Sequence, residues 1–231
     1  MSSTQPIFSR ETARFFTDLA RNNHKDWMDA NRERYQSEVV KPFRRLLEEL
    51  APMVLRLDDD FDTSSRRGAS FSRINRDIRF AKDKTPYRPQ MYLKFAAPFA
   101  GEGETGELYV GLSANTVTVG FRIYSGSKRK RSALGRIAEP NVQANPRWPA
   151  KQKARLGRKY ESYWYHVAKG KWSERKGWPV ATEDWKKLHA WIVRKKLTPA
   201  AATRATFTDD VARIFRDVVP LLQFTSIPKN Q

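Results

Sequence analysis

Apolar residues near the start of the chain recur at the spacing of two amphipathic helices. The first helix is predicted to begin after Ser9, a residue type that caps helix N-termini, and to end at Asn22-Asn23. The second follows an apolar stripe over residues 35–50. We expect a kink at Pro42, because proline has no backbone N–H to continue the helical hydrogen bonds. The pattern therefore predicts N-terminal helices within residues 9–56.

The middle of the chain changes to the two-residue alternation of β-strands. Alternation over 90–97, 107–112 and 116–124 predicts three strands, and residues 113–115 suit a hairpin connection between the last two. The segment between the first two strands formally matches a dinucleotide-binding glycine motif. It leads into a strand, whereas that motif must open a helix, so it is interpreted as a flexible loop. Residues 70–125 are thus expected to form an antiparallel sheet with one buried face.

The last third of the chain mixes both patterns and ends in a clear helical stripe. A helix is predicted over 208–224, introduced by Thr208-Asp209-Asp210. The weaker patterns before it predict a helix over 132–139, a strand over 160–167, a short helix from Thr182 and a basic edge strand over 191–197. The predicted fold class is α+β, in one domain over residues 1–231. Its central antiparallel sheet packs against the N-terminal helices and the C-terminal helix.

Residues 71–88 contain the densest mixture of charged and apolar residues in the chain. Interpreted as an extended strand over 71–80, the segment places Arg73 and Arg79 on one face with Asp77 between them. At that spacing one carboxylate can brace two guanidinium groups and leave their outer donors free for a ligand. Residues 82–87 are expected to form a turn, since Pro86 restricts its own φ and the conformation of the preceding residue.

This segment predicts a site for a phosphate- or carboxylate-bearing ligand, with neither a cofactor nor a metal. The candidate ligand contacts are Arg73, Arg76, Arg79, Lys82, Lys84, Tyr87 and Arg88. A cofactor-free enzyme with Asp77 or Asp83 as catalytic carboxylate is an alternative, in which the neighbouring cations stabilise an anionic transition state. A third interpretation is purely structural: the carboxylates pair with nearby bases and stiffen the segment. The pocket requires a bend near Arg76-Asp77, because a straight strand sends Arg76 to the face opposite Arg73.

The same residues resemble the central motif of a bacterial and fungal family of conserved hypothetical proteins, domain of unknown function 2461. The matching elements are Arg73-Ile74, Arg76-Asp77, Arg79-Phe80, residues 82–87, and near the N-terminus Phe8-Ser9, Asn22-Asn23 and Trp27. Two segments, 97–107 and 128–178, depart from the family pattern. The resemblance implies no established activity, so it assigns no catalytic residue.

The charge of the chain points to a second class of partner. Its formal net charge is +19, from 44 Lys and Arg against 25 Asp and Glu. Residues 126–196 alone hold 20 Lys and Arg against 5 Asp and Glu, together with six of the seven tryptophans. Single-stranded nucleic acids are bound by cations that track phosphates and by aromatic rings that stack on bases. A nucleic-acid-binding module over 128–196 is therefore the main alternative function.

Several common chemistries are disfavoured by what the chain contains. There is no cysteine, so no disulfide, thiolate nucleophile or cysteine metal site is expected. Asp58, Asp60 and Asp62 alternate as in a calcium loop, but Thr63 and Ala69 stand where that loop needs glycine and glutamate. No segment approaches the roughly 18 apolar residues of a membrane span. These features predict a cytoplasmic protein without a membrane span.

Overall fold

The computed structural model describes residues 5–65, 70–97, 104–125 and 132–225. Its helices are α1 (Arg10–Arg21), α2 (Lys25–Ala30), α3 (Arg32–Tyr35), α4 (Lys41–Leu57), α5 (Ala133–Ala144), α6 (Trp148–Leu156), α7 (Thr182–Lys186), α8 (Pro199–Ala202) and α9 (Phe207–Phe224), and a π-helical turn, Gln36–Val40, joins α3 to α4. Its strands are β1 (Gln90–Ala97), β2 (Glu104–Ser113), β3 (Val117–Ser125), β4 (Glu161–Ala168), β5 (Lys171–Lys176) and β6 (Ala190–Leu197).

The six strands form one antiparallel sheet in the order β1-β2-β3-β6-β4-β5, with helices towards both ends of the chain. This arrangement confirms the predicted α+β class. None of the described helices combines the length and the apolar composition that a bilayer span requires.

The chain divides into two compact units. The first consists of Met1–Phe95, Tyr109–Val119 and Lys196–Arg213, and the second of Ala96–Leu108, Gly120–Lys195 and Ile214–Gln231. The prediction of a single domain stays a prediction.

The N-terminal helices follow the apolar pattern closely. Ser9 caps α1, since its side chain accepts a hydrogen bond from the backbone N–H of Glu11 at 3.1 Å, and the helix ends at Asn22. A π-helical turn, Gln36–Val40, ends directly before α4, whose first residues include Pro42, and the kink expected at Pro42 stays a prediction. Proline lacks the N–H that would continue the regular α-helical bonding, and a π-turn is one way in which a helix accommodates an irregular step.

Aromatic packing closes the core of the first unit. The Phe8 ring lies edge-on to Phe43 and Phe207, with centroid distances of 5.0 and 5.8 Å, and all three side chains are buried. The hydroxyl of Thr208, predicted as a cap, donates instead to a Glu49 carboxylate oxygen at 2.9 Å from within α9. These contacts hold the C-terminal helix against α4 and so support the wall on which the candidate site is built.

The prediction that residues 191–197 form an edge strand is wrong, because β6 lies between β3 and β4. The basic residues that suggested an edge stand only at its C-terminal end, and Ala190 to Val193 are all buried. Gly120 of β3 allows the close approach: a Cβ at this position would lie 2.1 Å from the carbonyl oxygen of Val193. The absent side chain thus admits the neighbouring backbone.

The edge of the sheet is instead β5, a strand that the sequence pattern did not predict. It pairs with β4 in a hairpin whose turn residues, Lys169 and Gly170, have φ angles of 49° and 71°. Two positive φ angles match the twist of hairpin strands. Four of the six β5 residues are charged, which suits an edge exposed to solvent and protected from pairing with another chain. The helix α6 was likewise not predicted.

Candidate functional site

Residues 71–80, predicted as a strand, form only isolated bridges. Phe71 pairs with Leu93 and Asn75 pairs with Tyr87. The facing segment contains Pro86 and Pro89, which have no N–H to donate to a ladder, so continuous pairing is interrupted. The predicted alternation also fails, because Phe71 and Ile74 are buried on what would be opposite faces. The extended-strand interpretation is therefore corrected to a bent segment.

The turn that follows is tied across its base by Arg76. The guanidinium donates to the carboxylate of Asp83 and to the hydroxyl of Thr85. The backbone N–H of Thr85 also donates to Asp83 at 2.9 Å. The Thr85 N–H and the Arg76 guanidinium lower the pKa of Asp83 to about 2, because both favour the charged carboxylate. A carboxylate with so low a pKa is a weak proton acceptor at neutral pH, so this geometry does not favour Asp83 as a general base.

A second ion pair lies at the tip of the same turn. The Arg79 guanidinium binds Asp77 through both carboxylate oxygens, at 3.0 and 2.7 Å, and lowers the pKa of Asp77. The Lys84 ammonium donates to the carbonyl oxygen of Ile78 at 3.0 Å. Phe80 between them is 96% exposed. The charged groups of the turn thus bond to one another, although the exposed Arg79–Asp77 pair adds little stability.

Asn23 anchors the end of the segment to the helical region. Its side-chain amide donates to the carbonyl oxygen of Tyr87 at 2.9 Å and accepts from the Tyr87 N–H at 3.0 Å. The Tyr87 side chain is buried. Arg88 donates to the carbonyl oxygen of Arg73 at 3.0 Å. Two parts of the sequence motif that stand 64 residues apart, Asn23 and Tyr87, thus meet in space.

A cleft of about 450 Å³ opens beside the start of this segment. One wall is the helical stretch from α3 through the π-turn into α4, and the other is residues 71–75. It is lined by Arg32, Tyr35, Gln36, Val40, Arg44, Phe71, Ser72, Arg73, Ile74, Asn75 and Met91. The volume lies within the range of small-molecule sites, which combine an apolar lining with a few polar groups.

Three of the polar side chains that line the cleft are cationic: Arg32, Arg44 and Arg73. None of the described residues that line it is acidic. Within the described chain the side chains of Arg44 and Arg73 have neither a hydrogen bond nor an ion pair, whereas Arg32 donates to Asp29 at 2.6 Å. Guanidinium groups without a carboxylate partner raise the local positive potential and leave planar donor pairs available. The cleft therefore suits an anionic group.

The π-turn explains why Arg32 and Arg44 line the same cleft. They stand twelve residues apart, which in an uninterrupted α-helix would separate them by roughly 120° around the axis. A π-turn contains one extra residue and moves every later residue back by about 100°. The remaining difference is only about 20°, so Arg32, Gln36, Val40 and Arg44 share one face.

The structure separates the predicted ligand contacts into two groups. Arg73 alone lines the cleft. The others lie outside its lining: Arg76, Arg79, Lys82, Lys84, Tyr87 and Arg88. Asp77 pairs with Arg79 but not with Arg73, so the predicted clamp of two arginines on one carboxylate does not form. The chain turns at residues 78–81, beyond Arg76. This turn therefore does not bring Arg76 into the cleft beside Arg73. The assignment of the predicted residues as ligand contacts stays a prediction.

Sequence reasoning did not identify Arg32 and Arg44. Both lie on an N-terminal helical stretch that was interpreted only through its apolar face. Their four-residue spacing with Gln36 and Val40 was a usable signal, but an unbroken α-helix would have placed Arg44 elsewhere. The π-turn that aligns them does not follow from that spacing.

The tryptophan-rich basic region and the acidic cluster near Asp58 give weaker support for a functional site. Of the six tryptophans in residues 126–196, Trp164, Trp185 and Trp191 are buried and therefore not available to stack on bases. The basic run 128–131 lies outside the described residues. Asp58, Asp59 and Asp60 bring their carboxylate oxygens within 4.8 Å of one another, as exposed acidic groups commonly do without an ion.

The comparisons with known proteins agree with the motif. No curated protein matches the chain at a significant level. A family model described as conserved hypothetical protein (DUF2461) matches residues 11–224. That range includes both walls of the cleft and the whole turn with its ion pairs. Because the match spans most of the 231 residues, the chain belongs to the DUF2461 family of conserved hypothetical proteins.

Proposed function

We propose that the protein binds a small phosphate- or carboxylate-bearing molecule in the cleft between the α3–α4 stretch and residues 71–75. The observation that carries this proposal is the lining itself: three arginines, no described acidic residue, and two guanidinium groups that have no partner among the residues that the structure describes. An anion there gains charge-assisted hydrogen bonds without displacing an existing carboxylate from Arg44 or Arg73.

The apolar lining restricts the class of ligand further. Phe71, Ile74 and Met91 form a buried floor beside the arginines. A fully hydrated inorganic ion makes no use of such a floor, whereas an organic anion can lay its hydrocarbon part on it. We therefore favour an organic phosphate or carboxylate. A cytoplasmic location is part of the proposal, and the cysteine-free composition is compatible with it.

The test is thermal stabilisation of the purified protein by organic phosphates and carboxylates. A ligand at about a hundred times its Kd stabilises the folded state by about 2.7 kcal/mol, which raises Tm by several degrees. Arg44→Ala and Arg73→Ala should each reduce this shift. Arg79→Ala is the matched control, since Arg79 belongs to the same charged segment but lies outside the cleft lining. Equal loss of the shift in all three variants would contradict the proposal.

Nucleic-acid binding is retained as a second candidate on one observation in the second unit. The rings of Tyr163, Tyr165 and Trp172 follow one another on β4 and β5 with centroid distances of 6.1 and 5.9 Å. Arg194 lies over the Tyr163 ring at 5.0 Å. Titration with single-stranded and duplex oligonucleotides at two salt concentrations decides this hypothesis. Electrostatic binding should weaken steeply with salt, and no binding at low salt would refute it.

A further inference from the structure

The arrangement of the arginines along the cleft carries information about the shape of its ligand. Arg32 and Arg44 lie on one helical face, separated along the axis by roughly three turns or about 17 Å between Cα atoms. Gln36 and Val40 line the cleft between them. The two cations therefore stand towards opposite ends of one wall and not side by side. With both side chains extended along the wall, a single phosphate or carboxylate does not reach both guanidinium groups.

The lining that the two arginines share includes several apolar side chains. Tyr35, Phe71, Ile74 and Met91 are each no more than 8% exposed and form the floor of the cleft. A ligand that reaches from one arginine to the other must lie along this floor. Burial of its hydrocarbon part is favourable by roughly 25 cal/mol for each Å² removed from water. Cations near the two ends of the cleft and apolar side chains in its lining thus suit one chemical class of ligand.

We infer that the cleft binds an elongated ligand with an anionic group at each end and an apolar middle, Arg32 contacting one end and Arg44 the other. This inference rests on the proposed function and adds the class of ligand to it. Arg32 already donates to Asp29 at 2.6 Å. Both side chains of that pair are about half exposed, at 51% and 46%, so the ion pair is weak and a ligand can compete with it.

Alkane dicarboxylates of increasing chain length are the probe, each compared with the monocarboxylate of the same length by isothermal titration calorimetry. Affinity for the dicarboxylates should pass through an optimum length, at which they bind about ten- to a hundredfold more tightly than the monocarboxylates, as one added charge-assisted contact predicts. Arg32→Ala and Arg44→Ala should each remove this advantage. Asp29→Asn, which replaces the ion pair of Arg32 with a weaker neutral acceptor, should increase it.

The outcomes separate this inference from the proposed function. If dicarboxylates bind no more tightly than monocarboxylates at any length, while Arg44→Ala weakens both, the two-ended ligand is refuted and an anion site remains. If the wild-type protein binds neither these acids nor organic phosphates, both proposals fail. Arg79→Ala controls for a general loss of positive charge. The thermal unfolding of each variant without ligand controls for folding, and all four substituted side chains are solvent-exposed.

Discussion

The paired hydrogen bonds between Asn23 and Tyr87 give the sharpest prediction for stability. Asn23→Ala removes a bond of 2.9 Å to the Tyr87 carbonyl and a bond of 3.0 Å from its N–H. A net value of about 0.5–1.5 kcal/mol for each hydrogen bond predicts a loss of about 1–3 kcal/mol in the free energy of unfolding. For a chain of this size that corresponds to a Tm lower by several degrees.

Urea denaturation followed by circular dichroism measures the effect as a lower midpoint with an unchanged m-value. Asn22→Ala is the matched control, because the one bond of the Asn22 side chain within the described residues goes to the Asp18 carbonyl at the end of the same helix. Hydrogen exchange of the Tyr87 amide should also be faster in Asn23→Ala and not in Asn22→Ala. If Asn23→Ala is no more destabilising than its control, the anchoring role assigned to this residue is wrong.

Three further outcomes test other parts of the structure. Phe80→Ala should change the free energy of unfolding by less than about 0.5 kcal/mol in urea denaturation, since Phe80 is 96% exposed. The pKa of Asp83 is lowered to about 2 from 3.8, so its bonds to Arg76 and Thr85 add stability above about pH 4 that is lost as the pH falls towards 2. The free energy of unfolding of Asp83→Asn should therefore decrease less than that of the wild type between pH 4 and pH 2 in acid titrations. Gly120→Ala should greatly reduce the yield of folded protein, because its Cβ would meet the Val193 carbonyl oxygen at 2.1 Å. Gly170→Ala is the control, because its Cβ finds open space and the change costs only the backbone strain of a positive φ.

The sequence predicted the elements whose pattern is local. Helix α1 begins after Ser9 and β1 spans Gln90–Ala97, both as expected. In each case a cap or a regular alternation specifies the conformation through neighbouring residues alone. The family was also predicted from a short motif, and the match over residues 11–224 confirms it. Local signals were weaker after residue 126, where α6 and β5 were missed.

Tertiary structure decided what the charged residues do. The alternation in residues 71–80 predicted a strand, but prolines in the facing segment interrupt the pairing. Three of the motif cations, Arg76, Arg79 and Lys84, are engaged within the turn. Arg32 and Arg44 were absent from the predicted site. They share one helical face only because the π-turn rotates every later residue by about 100°. The position of β6 inside the sheet likewise depends on Gly120, which lies some seventy residues earlier in the chain. Contacts between distant segments determine the pairing of residues 71–80 and the position of β6, and spacing along the sequence predicted none of the three features.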